Sequence, residues 1–392
     1  MTSGSMKQIE PGGTIGMLGG GQLGRMFCFA AQAMGYRVSV YTDEEKSPAG
    51  QVANKLICAS YLDEDALAQF AQSVDVVTLE FENIPVQTLQ FLSTFVPVYP
   101  DEKTLFVAQN RQREKEFLQK GKFPLAAFAL IKCADQLESE LELANVRYPA
   151  VLKTAGFGYD GKGQKVVQNA GEAEAAFARL SSANKQTEVV AEAFISIEKE
   201  FSVIGARNYQ GSESKSCFEY FGPIENKHVN HVLDVSSMPA RLNQELVDKA
   251  VAITRDIMEM LDTVGLLCVE FFLTTDGTIL VNEIAPRPHN SGHLTIEACP
   301  TSQFEQQLRA VCGLTLGATT PFHSAAMVNL LGDLWPSEGQ PNFAAALTTS
   351  EAHLHLYGKE EARAGRKMGH ITAVAESSSL AIELALKARA SL

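Results

Sequence analysis

Short apolar runs alternating with amphipathic stretches dominate the first hundred residues. TIGML, RVSVYT, KLICAS, VDVVTLEF and VPVYP are separated by helical patterns from Gln22 to Met34 and over DEDALAQFAQS. Strands so short and so continuously apolar must be covered on both faces, which a parallel sheet flanked by crossover helices achieves. The segment therefore predicts a parallel α/β sheet, half of a doubly wound domain. After Pro100 the texture changes. A charged helical segment, NRQREKEFLQKG, precedes the strands PAVLKTA, QKVVQ, EVVAEAFI, FSVIGARN and SCFEYFG, a helix from about Asn243 to Leu261, and the hairpin LLCVEFFLTTDGTILVNEIA. Strands reversing through tight turns predict an antiparallel α+β region. A last small unit begins near Ala325 and contains AHLHLY, the basic loop GKEEARAGRKMG, the strand HITAVAE and a closing helix.

A chain of 392 residues with 45% hydrophobic content has room for two or three cores. Its formal charge of −13 opposes nucleic acid and anionic membranes, so neither is an expected partner and any bound phosphate must be held locally. Seven cysteines, an odd number without a CxxC, fit reduced thiols in the cytosol and predict a cytoplasmic protein. No run approaches the roughly 18 apolar residues of a membrane span. The start, MTSGSMKQIEPGG, lacks the apolar core of a signal peptide.

Several stretches carry chemistry. GGGQLG, Gly19 to Gly24, follows a strand and opens a helix, and Asp43 ends the next strand. Together they support one reading, an NAD-dependent dehydrogenase with a dinucleotide phosphate at the helix N-terminus. The hairpin discriminates better. If Asp276-Gly277 is a two-residue turn, paired residue numbers sum to 553 and Glu270 stands opposite Glu283. Their Cβ atoms would then be about 5 Å apart on one face. Two like charges at that separation call for a shared proton or a cation, and Mg²⁺, with Mn²⁺ as the alternative, suits carboxylates that leave room for substrate phosphates. Strict alternation directs Asn282 away from this face. In GFGYDGKGQ, Gly156, Gly158, Gly161 and Gly163 form a hairpin tip able to fold N–H groups over phosphate oxygens, and Lys153 on the strand leading in supplies a point charge. Glu192 and Glu200 are placed to meet a purine amine and a ribose. After Glu283 the rigid Pro-Arg-Pro turn presents Arg287, His289, Asn290, Ser291 and His293, the last three shared between bracing the loop and touching substrate. Lys359, Arg363, Arg366 and Lys367 form a local basic cluster suited to a 5′-phosphate.

The order Lys153, glycine lid, Glu192, Glu200, Glu270, Asn282-Glu283 resembles the ATP-grasp superfamily. With TLEFENIP (78–85), ENKH (225–228) and APRPHNSGHLTIEAC (285–299), nearly the whole chain from Thr14 on is similar to the 5-(carboxyamino)imidazole ribonucleotide synthases of purine biosynthesis. The resemblance implies a Rossmann-like N-terminal domain at 14–108. A central ATP-grasp domain of two subdomains would follow at 109–322, with its lid at 156–164, and then a small C-terminal domain with a hairpin at 323–388. It also implies ATP-dependent carboxylation of 5-aminoimidazole ribonucleotide by bicarbonate through carboxyphosphate, in a homodimer. ATP would meet Arg111, Lys153, Gly158, Tyr159, Asp160, Gly161, Lys162, Gly163, Gln164, Glu192, Ala193, Phe194, Ile195, Glu200, His228, Asn282 and Glu283, with the metal on Glu270 and Glu283. The ribonucleotide would meet Gln22, Glu80, Tyr159, Asp160, Asn290, Lys359, Arg366 and Lys367. Arg287, His289, Asp160 and Lys153 would carry the catalysis. Another ATP-grasp ligase or carboxylase with a different acceptor is the alternative within the superfamily.

Overall fold

The computed structural model describes residues 6–156, 163–183, 188–210 and 215–392, apart from the side chains of 182 and 183. The expected lid ligands Gly158, Tyr159, Asp160, Gly161 and Lys162 therefore lie outside the described residues.

The first sheet is the parallel one that the alternating pattern predicts. Its strands are β1 (Thr14–Leu18), β2 (Arg37–Thr42), β3 (Lys55–Cys58) and β4 (Val76–Leu79), in the order β3-β2-β1-β4. Alternation along β1 sends Ile15 and Met17 against Leu23, Met26 and Phe27 of the helix Gln22–Ala33. Leu18 goes to the opposite layer, with Phe70 of the helix Glu64–Gln72. The expected strand VPVYP is reduced to a single parallel bridge between Val77 and Val98. Pro97 and Pro100 flank it without an N–H to extend the ladder.

Four antiparallel strands, β5 (Phe128–Ile131), β6 (Ala150–Thr154), β7 (Gln164–Val167) and β8 (Val189–Ala193), form the second sheet in the order β5-β8-β6-β7. Leu137 and Leu141 of one helix and Ala173, Phe177 and Leu180 of another cover its back.

The third sheet has eight strands: β9 (Ile197–Gln210), β10 (Lys215–Val229), β11 (Val232–Met238), β12 (Gly265–Thr274), β13 (Ile279–Ala285), β14 (Ser324–Leu331), β15 (Ala352–Leu356) and β16 (Lys367–Ala375). Their order is β13-β12-β9-β10-β11-β14-β16-β15. The C-terminal strands thus continue the central sheet, with Ser237 of β11 paired to Ala326 of β14. One face is apolar: Phe201, Val203, Val269 and Phe271 pack on Ile257 and Met258 of the helix Gln244–Leu261, which Asn243 caps. Residues one step along point to the other face, where Glu200 pairs with Phe272 and Asn226, and Ser202 with Glu270.

The β12–β13 hairpin reaches the predicted Glu270–Glu283 pairing by a different route. Its loop is the three-residue Thr275-Asp276-Gly277, with Thr274 N donating to Thr278 O at 2.9 Å and Gly277 at φ +82°, in place of the expected two-residue turn. Pairing near the loop is therefore offset by one residue, with Phe271 opposite Val281. A bulge at Asn282 restores the register, so that Glu270 faces Glu283. The bulge also corrects the direction expected for Asn282, whose Nδ2 lies 3.4 Å from Glu270 Oε2. β13 is an edge strand, and Pro124 O, which accepts from Val281 N at 2.8 Å, and the helix Arg111–Lys120 satisfy groups it leaves open. Lys115 Nζ donates to Asn282 O at 3.0 Å, and Ile284 N donates to the Glu114 carboxyl at 2.5 Å. Among the described residues no helix is long and apolar enough to cross a membrane.

Candidate active site

A cavity of about 400 Å³ opens between the second and third sheets. Val151, Lys153, Gln164, Val166 and Glu192 face it from one sheet, and Ala193 to Ile195 form the connection. From the other come Glu200, His228, Leu233, Glu270, Phe272, Asn282 and Glu283; Arg111, Arg287, His289, Asn290 and Lys367 complete the wall. Apolar walls thus end in a ring of charge.

That charge is paired with care. Lys153 and Glu192 sit diagonally across β6 and β8, with Nζ 3.0 Å from Glu192 Oε2, and Lys115 approaches the other oxygen at 3.7 Å. Burial alone would raise the Glu192 pKa, but Lys115, Lys153 and Arg111 hold the carboxyl at about 2. Burial also dominates at Lys153, whose pKa is lowered. Each of the two hairpin glutamates has its own partner. Arg111 Nη1 lies 3.2 Å from Glu283 Oε2, and His289 Nε2 lies 3.0 Å from Glu270 Oε1. Burial works against the Glu270 charge, yet the His289 hydrogen bond and neighbouring imidazoles bring its pKa to about 2. Arg287 forks onto Glu82, with Nη2 to Oε1 at 3.1 Å and Nε on the other oxygen. At the far end His228 Nδ1 meets Glu200 Oε2 at 2.6 Å. A register shift between Lys227 and His228 accompanies this contact.

Among the described residues no three His, Cys, Asp or Glu side chains are arranged to hold a metal by themselves. The donor set nevertheless fits Mg²⁺, which commonly takes one or two carboxylates and completes its shell with water and phosphate oxygens. Asn282 Oδ1 is a buried acceptor with no donor, beside Glu270 and on the bulge that also presents Glu283. A buried oxygen with no donor, carried by the strand that presents the acids, is a group that a hard cation can satisfy.

Sixteen of the residues expected at the site line this one cavity: Arg111, Lys153, Gln164, Glu192, Ala193, Phe194, Ile195, Glu200, His228, Glu270, Asn282, Glu283, Arg287, His289, Asn290 and Lys367. Gly163 adjoins it at the start of β7. Gln22 and Glu80 lie in the first domain. Glu80 is buried beneath the glycine turn, accepting from Gly24 N at 2.7 Å and from Gly21 N. A Cβ on Gly21 would come within 2.6 Å of its Oε1. The helix N-terminus that suggested a dinucleotide is therefore filled by the protein's own carboxylate, and GGGQLG gives no support to a dehydrogenase. Lys359 is electrostatically close to Glu80, and the loop carrying it docks on the first domain through Gln51 Nε2 to Gly358 O at 2.8 Å. Arg366 Nη1 donates to Glu361 O at 3.0 Å, and Arg363 pairs with Glu361, so the basic cluster is partly neutralised from within. Ser291 and His293 are fully buried and support the loop.

Glu82, Glu114, Lys115 and His231 were not anticipated. Glu114 is buried, and burial together with the charge of Glu283 raises its pKa to about 8 despite Lys115 and Arg111. A carboxyl raised in this way keeps its proton in the fold after the unfolded chain has lost it. Stability should then fall as pH rises from about 4.5 to about 8 and level off above. Glu114→Gln is expected to flatten that part of the Tm–pH profile, and a profile identical to wild type would contradict the assignment.

Three domain families match in succession. These are the ribonucleotide synthetase preATP-grasp domain at residues 13–109, the ATP-grasp domain at 116–304, and the phosphoribosylaminoimidazole carboxylase C-terminal domain at 325–383. The N5-carboxyaminoimidazole ribonucleotide synthase of Bacillus subtilis is 42% identical over 369 residues, covering 94% of this chain and 93% of that protein. The chain belongs to the N5-carboxyaminoimidazole ribonucleotide synthase family. Synthase structures agree. An N5-carboxyaminoimidazole ribonucleotide synthetase in its ADP complex superposes with a TM-score of 0.88 at 41% identity, covering 99% of this chain and 98% of that one. The Aspergillus clavatus synthase in complex with ADP and 5-aminoimidazole ribonucleotide gives 0.82 at 28% identity, covering 97% and 99%. The residues that the sequence suggests for the site are spread over the three matched segments: Gln22 and Glu80 fall in the first, Arg287 and the paired acids in the second, and Lys359, Arg366 and Lys367 in the third.

Proposed function

We propose that the chain uses ATP and bicarbonate to carboxylate the amine of 5-aminoimidazole ribonucleotide, giving the N-carboxylated nucleotide, ADP and phosphate in purine synthesis. The observation that carries this is the meeting, in one cavity, of the bulge-aligned Glu270 and Glu283, buried Lys153, and the Arg287–Glu82 fork. The names of the Bacillus relative and the ligands of the Aspergillus structure support the choice of substrate.

The apolar walls Val151, Val166 and Phe272 suit a purine ring, with Glu200 and His228 placed for the ribose and Lys153 for the phosphates. Glu270, Glu283 and Asn282 would hold Mg²⁺, or Mn²⁺ in its place, which when bound offsets the charge of the triphosphate. A bicarbonate oxygen attacks the γ-phosphorus and the bond to the bridging β-oxygen breaks, yielding ADP and carboxyphosphate. Arg287, locked by Glu82, orients the anionic nucleophile, while Lys153 receives charge from the transferring phosphoryl group. The amine nitrogen then attacks the carboxyl carbon, the C–O bond to phosphorus breaks, phosphate leaves, and the amine gives up a proton. Asp160 on the lid would take that proton. Asp160→Asn is expected to lower carboxylation at saturating substrate by about 100-fold, and an undiminished rate would rule this role out. Arg366→Ala should raise KM for the ribonucleotide far more than KM for ATP; equal changes would remove Arg366 from the nucleotide phosphate site.

Units at 14–108, 109–322 and 323–388, a homodimer, and a cytoplasmic location complete the proposal. The deciding assay measures ADP release with Mg-ATP, bicarbonate and the ribonucleotide, omitting each in turn. Dependence on all three is expected. ADP release with a different acceptor only would indicate another ATP-grasp ligase, and nicotinamide binding without ADP release would indicate a dehydrogenase.

A further inference from the structure

The stretch ENKH gives His228 to the cavity, but Asn226 does not line it. Asn226 is instead the middle of a buried row of polar side chains running to the active centre. Ser236 Oγ donates to Asn226 Oδ1 at 2.8 Å, and Asn226 Nδ2 donates to Ser202 Oγ at 3.1 Å. Ser202 Oγ is 2.8 Å from Ser291 Oγ, and Ser291 Oγ is 2.8 Å from His289 Nδ1. His289 Nε2 ends the row on Glu270 Oε1 at 3.0 Å. All five residues before Glu270 are buried, and none of them except His289 reaches the cavity.

Each hydroxyl has a single proton, so the row can point only one way at a time. The cavity end sets the direction. A carboxylate can only accept, so Nε2 must carry the hydrogen that meets Glu270. Ser291 N–H approaches Nδ1 at 3.4 Å, which favours a lone pair there. Nδ1 therefore accepts from Ser291, Ser291 accepts from Ser202, and Ser202 is left to accept from an amide. Asn226 supplies that amide and at the same time offers a carbonyl to Ser236, beside the contact of Ser202 with Cys268.

We propose that Asn226 is a positioning residue: through Ser202 and Ser291 it holds the His289 ring with Nε2–H on Glu270 Oε1, which leaves Oε2, with its long contact to Asn282 Nδ2 at 3.4 Å, as the oxygen that turns to a cation. Its catalytic consequence rests on Glu270 serving the phosphate site as set out above. The ring geometry does not. Register explains why these residues meet, since Asn226 pairs with both Ser236 and Glu200, and Ser202 pairs with Glu270.

The test uses the full chain with ¹⁵N-labelled histidine, His289 being assigned by its missing signals in His289→Gln. Long-range ¹H–¹⁵N correlation should show wild-type His289 protonated at Nε2 and bare at Nδ1. Asn226→Asp keeps an acceptor for Ser236 but removes the donor to Ser202. It should shift His289 toward mixed tautomers and lower kcat about tenfold, with KM for ATP changed less than about twofold. Ser291→Ala should do the same and replaces Asn226→Asp if that variant melts early. A wild-type ring protonated at Nδ1, or variants matching wild type in both tautomer and kcat, would overturn the proposal. A tautomer that shifts while kcat stays fixed would overturn its catalytic half. If the tautomers behave as expected but wild type forms no ADP from the three substrates, the functional assignment fails and the positioning stands.

Discussion

Arg287→Lys is expected to lower kcat for bicarbonate-dependent ADP formation by about 100-fold while leaving KM for ATP within a few-fold of wild type. Lysine keeps the charge but not the fork. Arg287 binds both oxygens of Glu82 and also donates to Pro288 O at 3.1 Å, a planar arrangement that an ammonium cannot reproduce. Burial would lower the Arg287 pKa, and Glu82 more than reverses this, so the pair is held as ions. If the pair orients bicarbonate, loss of geometry strikes the phosphoryl-transfer step and spares nucleotide binding. A variant whose defect lies wholly in KM for ATP would place Arg287 in the nucleotide seat. Glu82→Gln should reproduce a smaller version of the same kcat defect, because it weakens the fork without deleting it.

Glu270→Gln and Glu283→Gln should each cut kcat/KM for ATP by about 10- to 100-fold. They should also raise the Mg²⁺ concentration needed for half-maximal rate. An amide retains the size of the side chain and one acceptor oxygen but loses the charge. Because both residues are assigned to one ion, the double variant should fall well short of the product of the single effects. Excess Mg²⁺ should recover part of the loss. If the defects arose only because Arg111 and His289 lose their partners, the double variant would behave additively and added Mg²⁺ would recover nothing.

The parallel sheet was legible because its strands are short and mostly apolar, and the cavity acids because the resemblance placed them. The hairpin pairing was right for an incomplete reason. A three-residue loop and a one-residue bulge cancel, so counting from a two-residue turn still set Glu270 against Glu283. A bulge has no reliable local signature, which is why Asn282 was assigned to the wrong face. Glu114 and Lys115 were not singled out within the charged helical segment NRQREKEFLQKG. Their spacing held a signal: Arg111, Glu114, Lys115 and Leu118 recur at i, i+3, i+4 and i+7 and form the face turned to β13 and the core. GGGQLG supported the rival dehydrogenase reading for a related reason, since a helix N-terminus attracts any anion and a sequence pattern cannot show that Glu80 supplies it.

The central claim is that bicarbonate is phosphorylated in the cavity before it meets the amine, and transfer of isotope from ¹⁸O-labelled bicarbonate tests it most directly. With Mg-ATP and 5-aminoimidazole ribonucleotide, the released phosphate should carry a single ¹⁸O from bicarbonate, since the oxygen that attacks phosphorus stays with it when the C–O bond breaks. Phosphate free of label, or ADP formed at the same rate without bicarbonate, would contradict the account.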